Sequence, residues 1–152
     1  MDDFDRKILT LIQEDDSLSV ADVADQIGLS TTPCWRRIHN LEKNGVIRKR
    51  VALLDTKSLN IGITVLVTIR AARHNTQWLE DFSRVVDDIP EIVEIYRMSG
   101  DNDYLMKVVA PSIEGYDVIY RRLIDEIEVS DITSSFAMET IKYTTALPLD
   151  YI

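Results

Sequence analysis

Residues Ser30–Ile47 read STTPCWRRIHNLEKNGVI, and the rest of the chain takes its meaning from this stretch. Ser30 is a good helix N-cap, and Pro33 falls in the first turn, where its missing N–H leaves nothing unsatisfied. Asn44–Gly45 is both a helix stop and a turn signal. At 100° per residue, Cys34, Ile38 and Leu41 share one narrow sector, which must be the buried side. The opposite side presents Thr32, Arg36, His39 and Lys43, with Asn40 beside them and Trp35 and Arg37 on the flanks. Between Ser30 and Arg50 there are six Lys/Arg against one acid, Glu42, in a chain of net charge −9.

Two helices are expected before it. Phe4, Ile8, Leu11 and Ile12 recur at helical spacing. The next helix opens at Ser19, with Asp22 three residues on. It carries Val20, Val23, Ala24 and Ile27 and stops at Gly28. Little more than Gly28–Leu29 joins it to the basic helix. Two helices on so short a connection, the second one basic, form the pattern of a helix-turn-helix. The following segment, VIRKRVALLD, reads as two short strands turning near Arg48–Lys49, a β-wing. Residues 1–54 are thus a winged helix-turn-helix domain, and 55–61 read as a linker.

From residue 62 to 152 the period changes. An apolar strand (Gly62–Ala71) precedes a helix (Asn75–Asp88, with Leu79, Phe82, Val85, Val86 and Ile89 inward) that stops at Pro90. Strands Ile92–Ser99 and Tyr104–Ala110 flank a turn at Gly100–Asp103. A helix from Ser112 to Ile127 buries Ile113, Tyr116, Ile119, Tyr120, Leu123 and Ile127. A last strand runs from about Ser130 to Tyr143. The order βαββαβ is that of a ferredoxin-like unit, so the whole chain reads as α+β.

Charge separates along the chain. Residues 1–29 balance at −6, residues 30–50 at +5 and residues 56–152 at −7. A locally basic face suits a polyanion even on an acidic protein, because association follows local potential. A merely solvated helix face would show the same charge. The face also offers hydroxyl and amide groups, which suit phosphate oxygens and base edges. A helix of ~14 residues is ~20 Å long and fits a major groove ~12 Å wide. Ser30, Thr31, Thr32, Trp35, Arg36, Arg37, His39, Asn40 and Lys43, with Arg48, Lys49 and Arg50 from the wing, are the candidate contacts to double-stranded DNA.

The single cysteine, Cys34, excludes an internal disulfide and reads as a small buried hydrophobe. With His39 and His74 it makes no ligand set for zinc. No paired nucleophile and base, phosphate loop or dinucleotide motif is present, so an enzyme is not expected. An acidic N-terminus and the lack of any long apolar run point to a cytoplasmic protein without metal or cofactor.

The stretch, with DRKIL (residues 5–9) and VADQIGLS (residues 23–30) before it, resembles the Lrp/AsnC (feast/famine) transcriptional regulators of bacteria and archaea. The matching signature is Ser30, Arg37–Ile38, Leu41–Glu42 and Gly45–Val46–Ile47. SSFAMETIKYTTALPL (residues 134–149) is similar to the closing strand and tail of that family's second domain. The resemblance implies a C-terminal RAM domain that binds a small effector, usually an amino acid, and pairs through its sheet into dimers that often build octamers. ITVLVTI (residues 63–69), apolar on both faces, fits such a pairing strand, with Val67 as a candidate contact. A central strand buried within one subunit fits it almost as well.

In the family the hairpin turn carries Gly, any residue, an aromatic and Asp. Here Gly100 and Asp103 match, and Asn102 stands at the aromatic position. The resemblance makes Met98, Ser99, Gly100, Asp101, Asn102, Asp103 and Tyr104 candidate effector contacts, with Ser134 and Ser135 reaching in from a neighbouring subunit. Without the family, an Asp/Asn/Gly turn merely connects two strands. An architectural DNA binder with an assembly-only second domain is the competing reading, and it requires no ligand.

Overall fold

The computed structural model describes all residues, Met1–Ile152. They form two compact units, Met1–Leu53 with Ile141–Ile152, and Leu54–Thr140. No helix is long and apolar enough to cross a membrane.

The first unit is built on α1 (Asp3–Glu14), α2 (Val20–Ile27) and α3 (Thr31–Lys43). Two capping boxes start the first two helices. Asp2 and Asp5 exchange side-chain and backbone bonds, as do Ser19 and Asp22, so each box satisfies two otherwise orphaned donors. Gly28, at φ 72°, closes α2 and donates its N–H to the carbonyls of Ala24 and Asp25. Ser30 holds the N-cap position of α3, yet its side chain makes no capping bond. Ile8, Leu9, Val23, Ala24, Ile27, Cys34, Ile38 and Leu41 form one buried core. Burial pushes the Cys34 thiol up from its ordinary range, which keeps it an unreactive apolar filler.

Two expectations for this unit change. Residues 46–54 contain no strand, so the wing hairpin at Arg48–Lys49 is not formed. The N–H groups of Val46 and Ile47 both go to the Leu41 carbonyl, at 2.9 and 3.1 Å, so the segment extends the end of α3 instead of opening a ladder. The C-terminal tail, expected with the second domain, packs with the first. The Gln13 side-chain amide donates to the Leu147 carbonyl (3.1 Å), its oxygen accepts the Leu147 N–H (2.9 Å), and Leu149 packs on the three-helix core.

The second unit runs β1 (Ile63–Ala71), α4 (Thr76–Asp87), β2 (Ile92–Arg97), β3 (Tyr104–Ala110), α5 (Ile113–Glu126) and β4 (Val129–Phe136). Before it, the linker is an ordered turn: the Asp55 carboxylate accepts both the N–H and the hydroxyl of Ser58. The sheet order is β2-β3-β1-β4, antiparallel throughout, as the βαββαβ order requires. Val65, Val67, Ile69, Met106 and Val108 are fully buried with Trp78, Phe82, Val85, Tyr116, Ile119 and Leu123 of the helices in one core. Trp78 stacks near Phe82 and Tyr104, and its indole N–H donates to the Glu128 carbonyl at 2.6 Å.

Leu79 and Ile113, expected inward, are 42% and 63% exposed. The buried stripe of α4 follows Trp78, Phe82, Val85 and Ile89, one residue round from Leu79, and Ile113 stands at the first position of its helix. The last strand stops at Phe136, short of Tyr143.

Alternation on β1 settles how ITVLVTI is used. Val65, Val67 and Ile69 face the helices, while Thr64, Leu66 and Thr68 face the uncovered side. Val67 is therefore a core residue and not a surface contact; Leu66, 43% exposed, is the strand's apolar side chain on the uncovered side. Val67→Lys should lower folding stability by about 3 kcal/mol or more, since it buries an unpaired ammonium. Leu66→Lys should cost much less, because its ammonium stays on the uncovered side of the sheet. Urea unfolding of the two variants checks the difference.

Candidate nucleic-acid interface and ligand cleft

On α3 the buried triplet Cys34, Ile38 and Leu41 fixes the rotation of the helix, so everything opposite must face outward. Thr31, Thr32, Trp35, Arg36, His39, Asn40 and Lys43 are all exposed. Trp35 and His39, one turn apart, lie flat on one another, with ring centroids 5.3 Å apart and planes at 2°. Arg36, Lys43, Arg48 and Lys49 have no ion-pair partner within the chain, so their charge is free for a ligand.

Two of the expected contacts are spent elsewhere. One Arg37 guanidinium nitrogen pairs with Asp2 and Asp5 of the first helix, each at 2.8 Å, and the guanidinium lies over the Phe4 ring. Those carboxylates push Arg37 further up. Asp2 is held below its usual range, first by the Asp5 N–H and then by Arg37. Arg50 bonds Asp16 and Glu42. Both arginines therefore fasten the helices to each other. Little in the local sequence marked them: Asp2, Asp5 and Asp16 lie 32 to 35 residues from their arginines, and only Glu42 is near, 8 residues from Arg50.

In the second unit the β2–β3 turn is pinned at Asp103. Its N–H donates to the Ile69 carbonyl (2.9 Å), its carbonyl accepts the Met98 N–H (2.8 Å), and Oδ2 accepts the Ala71 N–H (2.8 Å). Oδ1 faces His74 Nε2 at 3.4 Å. Arg70 donates to the Asp101 carbonyl (2.9 Å), and Gly100 supplies φ 117°, which other residues rarely adopt. An open cleft of about 280 Å³ lies beside Asp103. Its walls are Trp78, Leu79 and Tyr104, its charged groups are Arg73, Arg97 and Asp103, and the His74 imidazole also lines it.

Of the expected effector residues, Asp103 and Tyr104 line this cleft; Met98, Ser99, Gly100, Asp101 and Asn102 do not. Ser134 turns inward, opposite Val67, and shares a hydrogen bond with the Tyr116 hydroxyl, so it is occupied within its own subunit. Ser135 pairs with Leu66 and is exposed. Sequence reading missed Arg73, Trp78 and Arg97. They come from the loop before α4, from α4 itself and from the end of β2, and only the antiparallel register gathers them. His74, to which sequence reading assigned no role, lines the cleft with them.

Comparison with known proteins agrees with this architecture. Residues 1–48 match the family model for a winged helix-turn-helix DNA-binding domain, and residues 64–147 that for the Lrp/AsnC ligand-binding domain. The chain belongs to the Lrp/AsnC family of DNA-binding transcriptional regulators. It is 46% identical to the glutamate uptake regulatory protein of Zymomonas mobilis over 149 residues, covering 98% of this chain and 91% of that one. It superimposes on the crystal structure of an AsnC family transcriptional regulator from Agrobacterium tumefaciens with a TM-score of 0.96 at 60% identity, covering 100% and 99% of the two chains. A transcriptional regulator from Neisseria meningitidis, solved as its complex with L-methionine, matches with a TM-score of 0.94 at 32% identity over 99% and 98%.

Arg37→Ala should lower the unfolding midpoint by roughly 2–5 °C, because two carboxylates lose their partner. Arg36→Ala should leave it unchanged. Thermal unfolding followed by circular dichroism distinguishes a fastening arginine from a free one.

Proposed function

We propose that the chain regulates transcription as a homo-oligomer that reads operator DNA with the outward side of α3 and adjusts its affinity to an amino acid held beside the β2–β3 turn. The observation that carries the reading is the free positive charge of Arg36, Lys43, Arg48 and Lys49, gathered around one helix of a chain whose net charge is −9. Ser30, Thr31, Thr32, Trp35, Arg36, His39, Asn40 and Lys43 are the contact set on α3, with Arg48 and Lys49 following the flanking backbone. Ser30 keeps an uncommitted hydroxyl at the helix N-terminus, where a phosphate oxygen is favoured.

Assembly is proposed through the uncovered side of the sheet. A single recognition helix contacts few base pairs, and a dimer reaches two half-sites about one helical turn or a multiple apart. The uncovered side carries Leu66 and Tyr96, both exposed, around the ion pair of Lys107 with Glu94 at 3.0 Å. Glu94 is held below its ordinary range by the Tyr96 hydroxyl and then by Lys107, so it stays charged on that face. The Neisseria relative's complex with L-methionine supports an amino-acid effector here, and Asp103 is the residue proposed to meet the ammonium group.

Arg36→Ala should weaken operator binding by about 1–3 kcal/mol, concentrated at one base position, if the side chain meets a base edge. A uniform loss with a shallower salt dependence assigns it to phosphate. Unchanged affinity removes it from the interface. Binding to an operator recovered by genomic footprinting is the measurement.

Sedimentation at micromolar concentration should show a dimer or larger species for the wild type and a smaller one for Leu66→Lys. Asp103→Asn keeps an acceptor for the Ala71 N–H and should remove the metabolite response while leaving basal DNA binding intact. Coupling must be reciprocal, so DNA should change ligand affinity by the factor that ligand changes DNA affinity. A protein that binds DNA but responds to no amino acid would be an architectural binder instead.

A further inference from the structure

The reading of the β2–β3 turn as the effector site leaves the ligand's chemical class open, and the cleft beside it carries information on that point. Its volume, about 280 Å³, lies just under the ~300–1,000 Å³ of sites for drug-sized molecules, so a metabolite of amino-acid size suits it. Arg97 stands directly across the ladder from Tyr104, on the helix side of the sheet, and has no ion-pair or hydrogen-bond partner in the chain. Its charge is left uncompensated in a segment, residues 56–152, that carries nine Lys/Arg against sixteen Asp/Glu. Arg73 has one partner, Glu128, at 3.5 Å, with both side chains about two-thirds exposed. Such a pair is weak in water and readily exchanged for a better-placed carboxylate.

Against these two permanent cations the cleft lining sets a single carboxylate, Asp103. One of its oxygens is committed to the Ala71 N–H, and the other faces only His74. A neutral amino acid would pair its ammonium with Asp103 and its carboxylate with one arginine, leaving the second arginine unmatched. A ligand with one further carboxylate matches all three charged groups. Trp78, Leu79 and Tyr104 line the apolar side of the cleft and suit a short methylene stem.

We propose that this cleft selects acidic amino acids, with Arg97 and Arg73 holding the two carboxylates and Asp103 the ammonium group. Arg97 is the discriminating residue, because it is the cation with no partner to give up. Guanidinium–carboxylate bonds are charge-assisted and depend on planar geometry, so a neutral amide is a poor replacement for the carboxylate.

The test is isothermal titration of the full-length protein with L-glutamate, L-aspartate, L-glutamine and L-methionine. L-Glutamate and L-glutamine have nearly the same shape and differ by one charge. The wild type should bind an acidic amino acid at least ~10-fold more tightly than L-glutamine. Arg97→Gln, an exposed and unpaired position, should reduce that preference to within ~2-fold without changing the circular dichroism spectrum. Tighter binding of L-glutamine or L-methionine than of L-glutamate, or a preference that survives Arg97→Gln, overturns the proposal. If a neutral amino acid binds and Asp103→Asn abolishes that binding while Arg97→Gln does not, the turn remains the effector site and only the acidic class fails. If none of the four binds, both readings fail.

Discussion

The arrangement rests on one constraint: each element has enough apolar surface to bury one side and no more. In α3 that side is Cys34, Ile38 and Leu41, each 5% exposed or less. Rotating the helix by one residue would draw a charged or polar side chain, Arg37 or His39, into the core and expose Ile38, a loss of several kcal/mol from burial alone. The helix therefore has a single rotational setting. Arg36, His39, Asn40 and Lys43 face outward as a consequence of what is hidden behind them. The same constraint acts on β1, where Val65, Val67 and Ile69 are fully buried and Leu66 is left on the uncovered side.

Electrostatics then divides the cations into two groups with different roles. Arg37 and Arg50 reach acidic residues of the first unit and hold its helices together, with the Phe4 ring beneath the Arg37 guanidinium. Arg36, Lys43, Arg48 and Lys49 find no acid within reach. Engaged and free cations thus alternate among neighbouring residues of one short stretch. The basic stretch is not surplus charge awaiting a partner; part of it neutralises the acidic helix that precedes it. The two carboxylates on Arg37 also hold its guanidinium against α1, which leaves Arg36 and Lys43 as the free cations on the outward side of the helix.

In the second unit the hairpin turn is held by backbone bonds and has little freedom of its own. Asp103 alone contributes an N–H, a carbonyl and a carboxylate oxygen to three different neighbours. A ligand site next to such a turn begins from a fixed geometry, which reduces the ordering cost of binding. The remaining acceptor of Asp103 and the unpaired Arg97 are where that fixed geometry stays chemically open. The tail adds a comparable tie in the first unit, where Gln13 bonds both the N–H and the carbonyl of Leu147.

Local pattern was enough for nearly all of the helices and strands. Helical periodicity, the Ser19–Asp22 box, Gly28 and the Asn44–Gly45 stop are interactions within a few residues, and these spacings survive in any context. The βαββαβ order and the family signature likewise lie along the chain. What only the tertiary structure decided is which of several chemically equivalent residues is already engaged. Arg37 and Arg36 are identical in type and adjacent in sequence, yet one has two carboxylates at 2.8 Å and the other none. Ser134 and Ser135 divide in the same way between the two sides of a sheet. The cleft joins Arg73, Arg97 and Asp103 through strand register, and the tail returns to α1 from more than 130 residues away. Partnership of this kind depends on distances across the fold, and a linear pattern of residue types does not encode them.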